Sequence, residues 1–397
     1  MQELHTLSAL SPGVAQGISW VILQCLVCFW LLSILVAISY LPVRIAVPVI
    51  TLKFLLVGTY FVTWGDGSWY LGGDDWTYAA QGYKLLEGGE NPISVWWSSV
   101  GNYLLVQRPS TALYIWWNML WMYLFESAYY VPVVANVFVT VLSGFLFDKI
   151  LKGFGFGGVY RIGFGIFFLL HWYTLAWSSF LNIKEPLITS LILLTIYSIL
   201  QLEQKRWQFI VALLTAVFLL FGIRFYMPAL IGGAAVLYLI LESKKKIVTL
   251  LIVLPILGLI LWKYWFTIGL VFRLIDTTPK SVAVHLVKNI LSPIPWKITE
   301  PATYLYLPSI LHWIFLPASI VGAISLMFNR QTTGARLILW VIAAGYGFYA
   351  LIPGLASVRH GSPFAALWTL FEYNFIYYGL KYALGHSTHK NNIVQGS

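Results

Sequence analysis

An all-α, polytopic transmembrane helical bundle is the fold class this sequence predicts, and three observations predict it. Of the 397 residues, 59% are hydrophobic and 17% aromatic. Only 10% are charged, against about 25% in soluble domains. The apolar residues also fall in long runs, and about 20 consecutive apolar residues span a bilayer as a helix. The formal charge of +10 would suit a nucleic-acid binder, but the longest basic tract is Lys244-Lys245-Lys246 and most cations lie between apolar runs. Loop cations of a membrane protein explain that pattern. The expected partners therefore include membrane lipids and not nucleic acid.

Taken in order, eleven segments fit the spanning template: 18–38, 43–64, 129–147, 162–180, 186–203, 207–223, 227–242, 247–264, 308–328, 337–355 and 364–381. Residues 1–17 contain no Lys or Arg, so they make a poor signal-peptide start and the first run is expected to be inserted uncleaved. Cys25 and Cys28 lie in that run and are expected to pack or face lipid rather than to do redox or metal chemistry. Residues 110–125, "STALYIWWNMLWMYLF", are apolar enough for a twelfth span. A crossing there would invert every later loop, so the segment is expected to be an interfacial or re-entrant helix. Residues 1–382 then form one transmembrane domain with two long outer loops, 65–128 and 265–307. The prolines of "SPIPW" and "EPATYLYLP" in the second loop argue against a continuous helix. Residues 383–397 form a polar cytoplasmic tail, expected to be disordered.

Orientation follows from the cations. With the N-terminus outside and the C-terminus cytoplasmic, the short cytoplasmic segments hold twelve Lys and Arg and the short outer segments hold three. That asymmetry obeys the positive-inside rule. The three exceptions are Lys184, Arg224 and Arg359. Each lies in a polar outer turn: "NIKEP" (182–186), "RFYMP" (224–228) and "SVRHGSP" (357–363). The first outer loop adds "GGDDWTYAAQGYKLLEGG", with adjacent Asp74 and Asp75. Four separated segments thus bring acids and bases to one face, which points to an anionic ligand.

Plainer readings stand beside each. Asp74 and Asp75 suit a helix N-terminus, where carboxylates are favoured. Lys184 and Glu185 are able to pair across their turn, and Arg224 is able to reach the headgroups. Charge inside a span is unfavourable and marks function by default. Lys53 and Glu372 fall mid-span and are candidates to pair with each other, whereas His171 and His312 read as packing residues. The acidic pair leaves room for a divalent cation such as Mg or Mn, but no His-x-x-x-His or Asp-x-Asp pattern defines one. The sequence also lacks a nucleophile elbow, a P-loop and a dinucleotide fingerprint.

These outer-face motifs resemble those of the GT-C superfamily of membrane glycosyltransferases, which includes the lipid A aminoarabinose transferase-like group. The acidic pair is followed by Tyr78, Ala79-Ala80 and "LLEGG". "RPSTALYIWW", from Arg108, is similar to a basic-Pro-Pro-Leu-Tyr segment without its second proline. "NIKEP" is similar to the second outer turn, and "SVRHGSP" to a late Arg-Tyr-x-x-Pro element with His360 in the Tyr place. Here the acidic loop follows the second span instead of the first, and the second acid is Asp where Glu is commoner. The resemblance covers most of the chain in order.

It implies inverting transfer of a sugar from a polyprenyl-phosphate donor to a glycan, lipid or protein acceptor at the outer face. It favours a bacterial cytoplasmic membrane, although a site in the ER lumen would read the same. The residue chemistry can support such transfer. The departing phosphate is already charged and needs cations more than an acid; Lys184, Arg224, Arg359 and His360 are placed for it. Asp74, spaced one helical turn from Tyr78, is the expected base, with Asp75 as positioner or second choice. Tyr78, Arg108, Glu185 and Tyr226 complete the expected substrate-binding set. Trp69, Trp76, Trp96 and Trp97 suit either sugar stacking or interfacial anchoring. An O-antigen polymerase or ligase type of enzyme, and a lipid-linked oligosaccharide flippase or transporter, are the competing classes.

Overall fold

A computed structural model describes residues 20–64, 74–99, 101, 111–125, 127–178, 180–241, 258, 278–298, 305–328, 334–352 and 358–394, the side chains of 20–22, 60–64, 74–75, 358–360 and 384–394 excepted. Among the described residues the chain is all-helical, with fourteen α-helices, two short 3-10 turns and no strand. In chain order the helices are α1 (Trp20–Ala37), α2 (Val43–Trp64), α3 (Asp74–Glu87), α4 (Ala112–Leu124), α5 (Tyr130–Gly153), α6 (Gly158–Leu170) and α7 (Trp172–Ser178). They continue as α8 (Glu185–Glu203), α9 (Phe209–Ile223), α10 (Met227–Leu241), α11 (Pro279–Leu291), α12 (Tyr306–Phe328), α13 (Ala335–Leu351) and α14 (Val358–Val394).

Three of these, α5, α8 and α12, are long and apolar enough to cross a membrane. The pair α6 and α7, bent by 47° at His171, makes a fourth if it counts as one span. Helices occupy ten of the eleven expected intervals, and 247–264, residue 258 apart, lies outside the described residues. Several are short: the 15 residues of α9 rise about 22 Å, against a hydrocarbon core of about 30 Å. The outward faces are apolar, with Leu35, Leu55, Val211, Phe218 and Ile314 all more than half exposed. Contiguous surface of that kind suits lipid better than water.

The core is built around α5, which is apolar on every side, as a helix surrounded by others is. It packs against α1, α4, α6 and α8. Around it α8 pairs with α9, α10 with α13, and α12 with α14. The last crossing is close. A Cβ at Gly322 of α12 would overlap the Phe371 carbonyl of α14, and Asn374 Nδ2 donates to Gly322 O at 3.4 Å. Small residues permit such approaches between helices in lipid.

Local chemistry sets the ends. The "LLEGG" run is the C-terminus of α3: Gly89 adopts φ +84°, and Glu90 N–H reaches back to Leu85 O at 3.0 Å. Glycine is favoured there because a left-handed residue lets the chain close over the last carbonyls. Gly155, at φ +81°, ends α5 in the same way and explains "KGFGFGG" as a helix stop.

Three expectations are modified. The 13 residues of α4 rise about 20 Å, which is too short to cross. This helix is not laid on the surface, because Tyr114, Ile115 and Met119 are fully buried where it packs against α3 and α5. The second long loop holds α11, which begins at a proline and stops before Pro293, in keeping with the helix-breaking reading of its prolines. Finally, α14 runs on to Val394, so the backbone of the polar tail continues the last helix instead of being disordered.

Candidate functional site

The turn 182–185 between α7 and α8 is the centre of the polar structure at one end of the bundle. Its backbone cannot bond within a helix, so side chains from α4 and α5 supply the partners. Asn182 N–H donates to Tyr129 OH at 3.1 Å. Tyr114 OH donates to Asn182 Oδ1 at 2.7 Å, and Asn182 Nδ2 donates to Asn118 Oδ1 at 2.5 Å. Asn136 Nδ2 donates to Ile183 O and to Tyr114 OH, both at 2.9 Å, while its Oδ1 accepts from Trp117 Nε1 at 3.2 Å. Asn118, Asn136 and Asn182 are all fully buried. Each buried amide is satisfied, so the network rigidifies the turn.

From this turn two charged side chains diverge. Lys184 lies over the Tyr78 ring of α3, its Nζ 5.5 Å from the ring centre. Tyr78 in turn meets Tyr114 edge-on at 5.1 Å. Glu185 opens α8 and pairs with Arg224 at the end of α9, Oε1 to Nη2 at 2.7 Å. Arg224 Nη1 also donates to Tyr349 OH at 3.3 Å, and the hydroxyls of Tyr226 and Tyr349 are 3.1 Å apart. Both members of the ion pair are almost wholly buried. Burial works against the Arg224 charge, but Tyr226, Tyr349 and Glu185 outweigh it and raise the pKa of the guanidinium.

Five of the ten candidate residues, Tyr78, Lys184, Glu185, Arg224 and Tyr226, therefore gather around one turn and its neighbouring helix ends. Asp74 and Asp75 open α3, and Arg359 and His360 lie in the first turn of α14; only their backbones are described. Arg108 and Trp69 lie outside the described residues. Glu185 takes Arg224 as its ion-pair partner and Lys184 lies on the Tyr78 ring, and Arg224 is bound within the protein instead of reaching out to headgroups. Trp76 is stacked on Tyr129 at 4.4 Å and buried, so it packs and offers no open sugar platform, whereas Trp97 is exposed.

A second polar cluster lies deeper. His171, at the break between α6 and α7, places Nε2 2.8 Å from Glu372 Oε2. Ser319 Oγ of α12 donates to Glu372 Oε1 at 3.0 Å. Lys53 does not take Glu372 as its hydrogen-bond partner in that cluster; its Nζ donates to Leu169 O at 3.3 Å, just before the break. His312 Nε2 lies 2.9 Å from Ile290 O and ties α12 to α11. His171 is thus more than a packing residue. The signal that sequence reasoning passed over was uncharged: Asn118, Asn136 and His171 each sit in an apolar run, where a polar group needs a partner.

Among the described residues no group of three or more His, Cys, Asp or Glu is placed to hold a metal ion. The chain matches no protein-family model, no curated protein and no solved structure.

Proposed function

We propose that this chain is an inverting membrane glycosyltransferase of the GT-C type. It moves a sugar from a polyprenyl-phosphate donor to a glycan, lipid or protein acceptor, on an eleven-span bundle with the site at the outer face of a bacterial cytoplasmic membrane. One observation carries the reading: the turn 182–185 gathers residues of three separated motifs, with Lys184 against Tyr78 and Glu185 against Arg224. Position 74 lies one turn before Tyr78 on α3, and that spacing supports assigning the base to Asp74.

In this mechanism Asp74 takes the proton of the acceptor hydroxyl as it attacks the anomeric carbon, and Asp75 positions the acceptor. The donor phosphate leaves from the opposite side, which inverts the anomeric centre. Lys184, Arg359 and His360 hold its charge. Arg224, already balanced by Glu185, fixes the turn that carries Lys184. Arg108 is assigned to the substrate by resemblance alone. A divalent cation is not required by any of these steps.

The test is incubation of the purified full chain in nanodiscs with a panel of polyprenyl-phosphate sugars. Donor consumption is expected, and Asp74→Asn is expected to lower it by about 100-fold or more, as removal of a general base does. If no donor is consumed, the activity is wrong. If Asp74→Asn and Asp75→Asn both turn over normally, the base assignment is wrong.

A second reading, a lipid-linked oligosaccharide flippase or other transporter, is favoured by one observation. The helix broken at His171 and the buried His171–Glu372 pair have the form of transporter sites, which use discontinuous helices near the midplane. Movement of intact donor across vesicle membranes, without sugar transfer, would favour that reading.

A further inference from the structure

Three carboxylates with a cationic or imidazole partner are buried among the described residues, Asp148, Glu185 and Glu372; the first two face guanidinium groups and the third does not. Glu185 faces a guanidinium, which does not give up its proton, so it is locked as an anion. Glu372 faces only groups that serve either of its charge states. Tyr173 N–H donates to His171 Nδ1 at 3.2 Å. That nitrogen therefore carries no proton, and Nε2–H is the one that donates to Glu372 Oε2 at 2.8 Å. On the other side Ser319 Oγ lies 3.0 Å from Glu372 Oε1 and also 3.0 Å from Phe315 O. One hydroxyl hydrogen thus has two acceptors.

We propose that Glu372 is a proton-binding site in the middle of the bundle, reached by water through a hydroxyl-lined cavity between α5, α7, α8 and α14. When Glu372 is ionised, His171 Nε2–H and Ser319 O–H both donate to it. When a hydronium ion delivers a proton to Oε1 and leaves as water, the new O–H donates to Ser319 Oγ. The Ser319 hydrogen then turns to Phe315 O. No heavy atom moves, and every polar group keeps a partner in both states, as buried groups must.

The position is central. His171, Ser319 and Glu372 each lie roughly 20 Å from an end of the helix or bent pair that carries them. The groups bound to Glu372 are His171 at the break and Ser319 of α12, with His312 of α12 and Tyr346 of α13 nearby. Lys53 of α2 lies beyond, on the Leu169 carbonyl. Glu185 of α8 lines the cavity and is bound to Arg224.

The cavity meets this cluster at Tyr173, which lines it and binds His171; Glu372, His171 and Ser319 are not among its walls. It measures about 30 Å³, room for one or two waters. Its walls include Thr140, Ser143, Thr174, Ser178, Thr189 and Ser362. Thr140, Ser143 and Thr189 donate to carbonyls one turn back in their own helices, so their lone pairs are left for a donor. Thr174 Oγ1 and Ser362 Oγ are buried with no protein partner, which is where water belongs. Glu185 forms one wall and Tyr173 another. Tyr173 is the residue whose N–H fixes the His171 tautomer.

This inference does not use the sugar-transfer reading, and its test reads protons alone. Wild-type protein in nanodiscs is treated with a hydrophobic carbodiimide, which reacts with protonated buried acids, and the modified residues are mapped by mass spectrometry. Label is expected on Glu372, its rate rising about tenfold for each unit of pH decrease above the midpoint. Infrared difference spectra between neutral and acidic pH should show the carbonyl stretch of a protonated acid. That band should be absent in Glu372→Gln and displaced in Ser319→Ala, where the acid loses its acceptor. Ser362→Val, which fills the cavity, should slow the appearance of the band after a pH drop several-fold. Absence of label from Glu372 at every pH, or a band that survives in Glu372→Gln, overturns the proton site. An unchanged rate in Ser362→Val overturns the route.

Discussion

Replacing Glu185 with Gln probes the turn directly, because Gln keeps the shape and an acceptor oxygen but removes the charge. The wild-type contact is 2.7 Å, with both side chains at most 3% exposed. Two unit charges about 4 Å apart at an effective dielectric of about 20 attract by about 4 kcal/mol. Removing one partner of a buried pair typically costs about 3–5 kcal/mol, so the two routes agree. Arg224→Met should fall in the same range, and it also removes the 3.3 Å bond to Tyr349 OH. The double variant removes both charges of the pair and should lose only about 1–2 kcal/mol, the scale of the neutral hydrogen bonds that remain unmade. The two changes should therefore be strongly non-additive, with the double variant more stable than either single one. Reversible denaturant unfolding in mixed micelles, followed by tryptophan fluorescence, measures all four proteins. Losses that add to within about 0.5 kcal/mol, as independent sites do, would refute the argument.

Two further substitutions test the frame around that pair. Asn136→Leu leaves Ile183 O and Tyr114 OH without their donor, at about 1–3 kcal/mol per buried unsatisfied group. Hydrogen exchange of the amides of 182–185 should quicken by at least tenfold, while α5 itself stays protected. Gly322→Val drives a side chain into the Phe371 carbonyl and should separate α12 from α14, an overpacking of about 1–3 kcal/mol or more. A cysteine pair placed across that crossing should then cross-link less readily than in the parent.

The helix intervals were legible because an apolar run is a local property. Each such run has to satisfy its own backbone in lipid, whatever surrounds it. The break at His171 was not legible, since "FFLLHWYTLAW" reads as continuous helix and nothing in it stops one. What accompanies the break is a partner 201 positions away in sequence, Glu372, and no local pattern encodes that distance. The asparagine network escaped for a different reason. A search on charge passes over amides, although Asn136, lying in an apolar helix, needed partners as surely as an acid would.

The outer cations were read together as sites for an anion, and the geometry separates them. Residues adjacent at a helix start point in different directions and do not share a partner. Lys184 precedes α8 and Glu185 begins it, so Lys184 turns to Tyr78 of α3 while Glu185 turns to α9. The second contact follows from the hairpin itself: α8 and α9 pack side by side, which sets the start of α8 beside the end of α9. An acid at a helix N-terminus and a base at a helix C-terminus are each favoured by the helix dipole, so the pair is supported three times over, by both dipoles and by its own attraction. Charge balance there makes the excess of cations at this face smaller than the sequence count implies. In the proposed transfer the donor phosphate is assigned to Lys184, Arg359 and His360, while Arg224 is tied to Glu185 at the start of α8 and so holds the turn that carries Lys184.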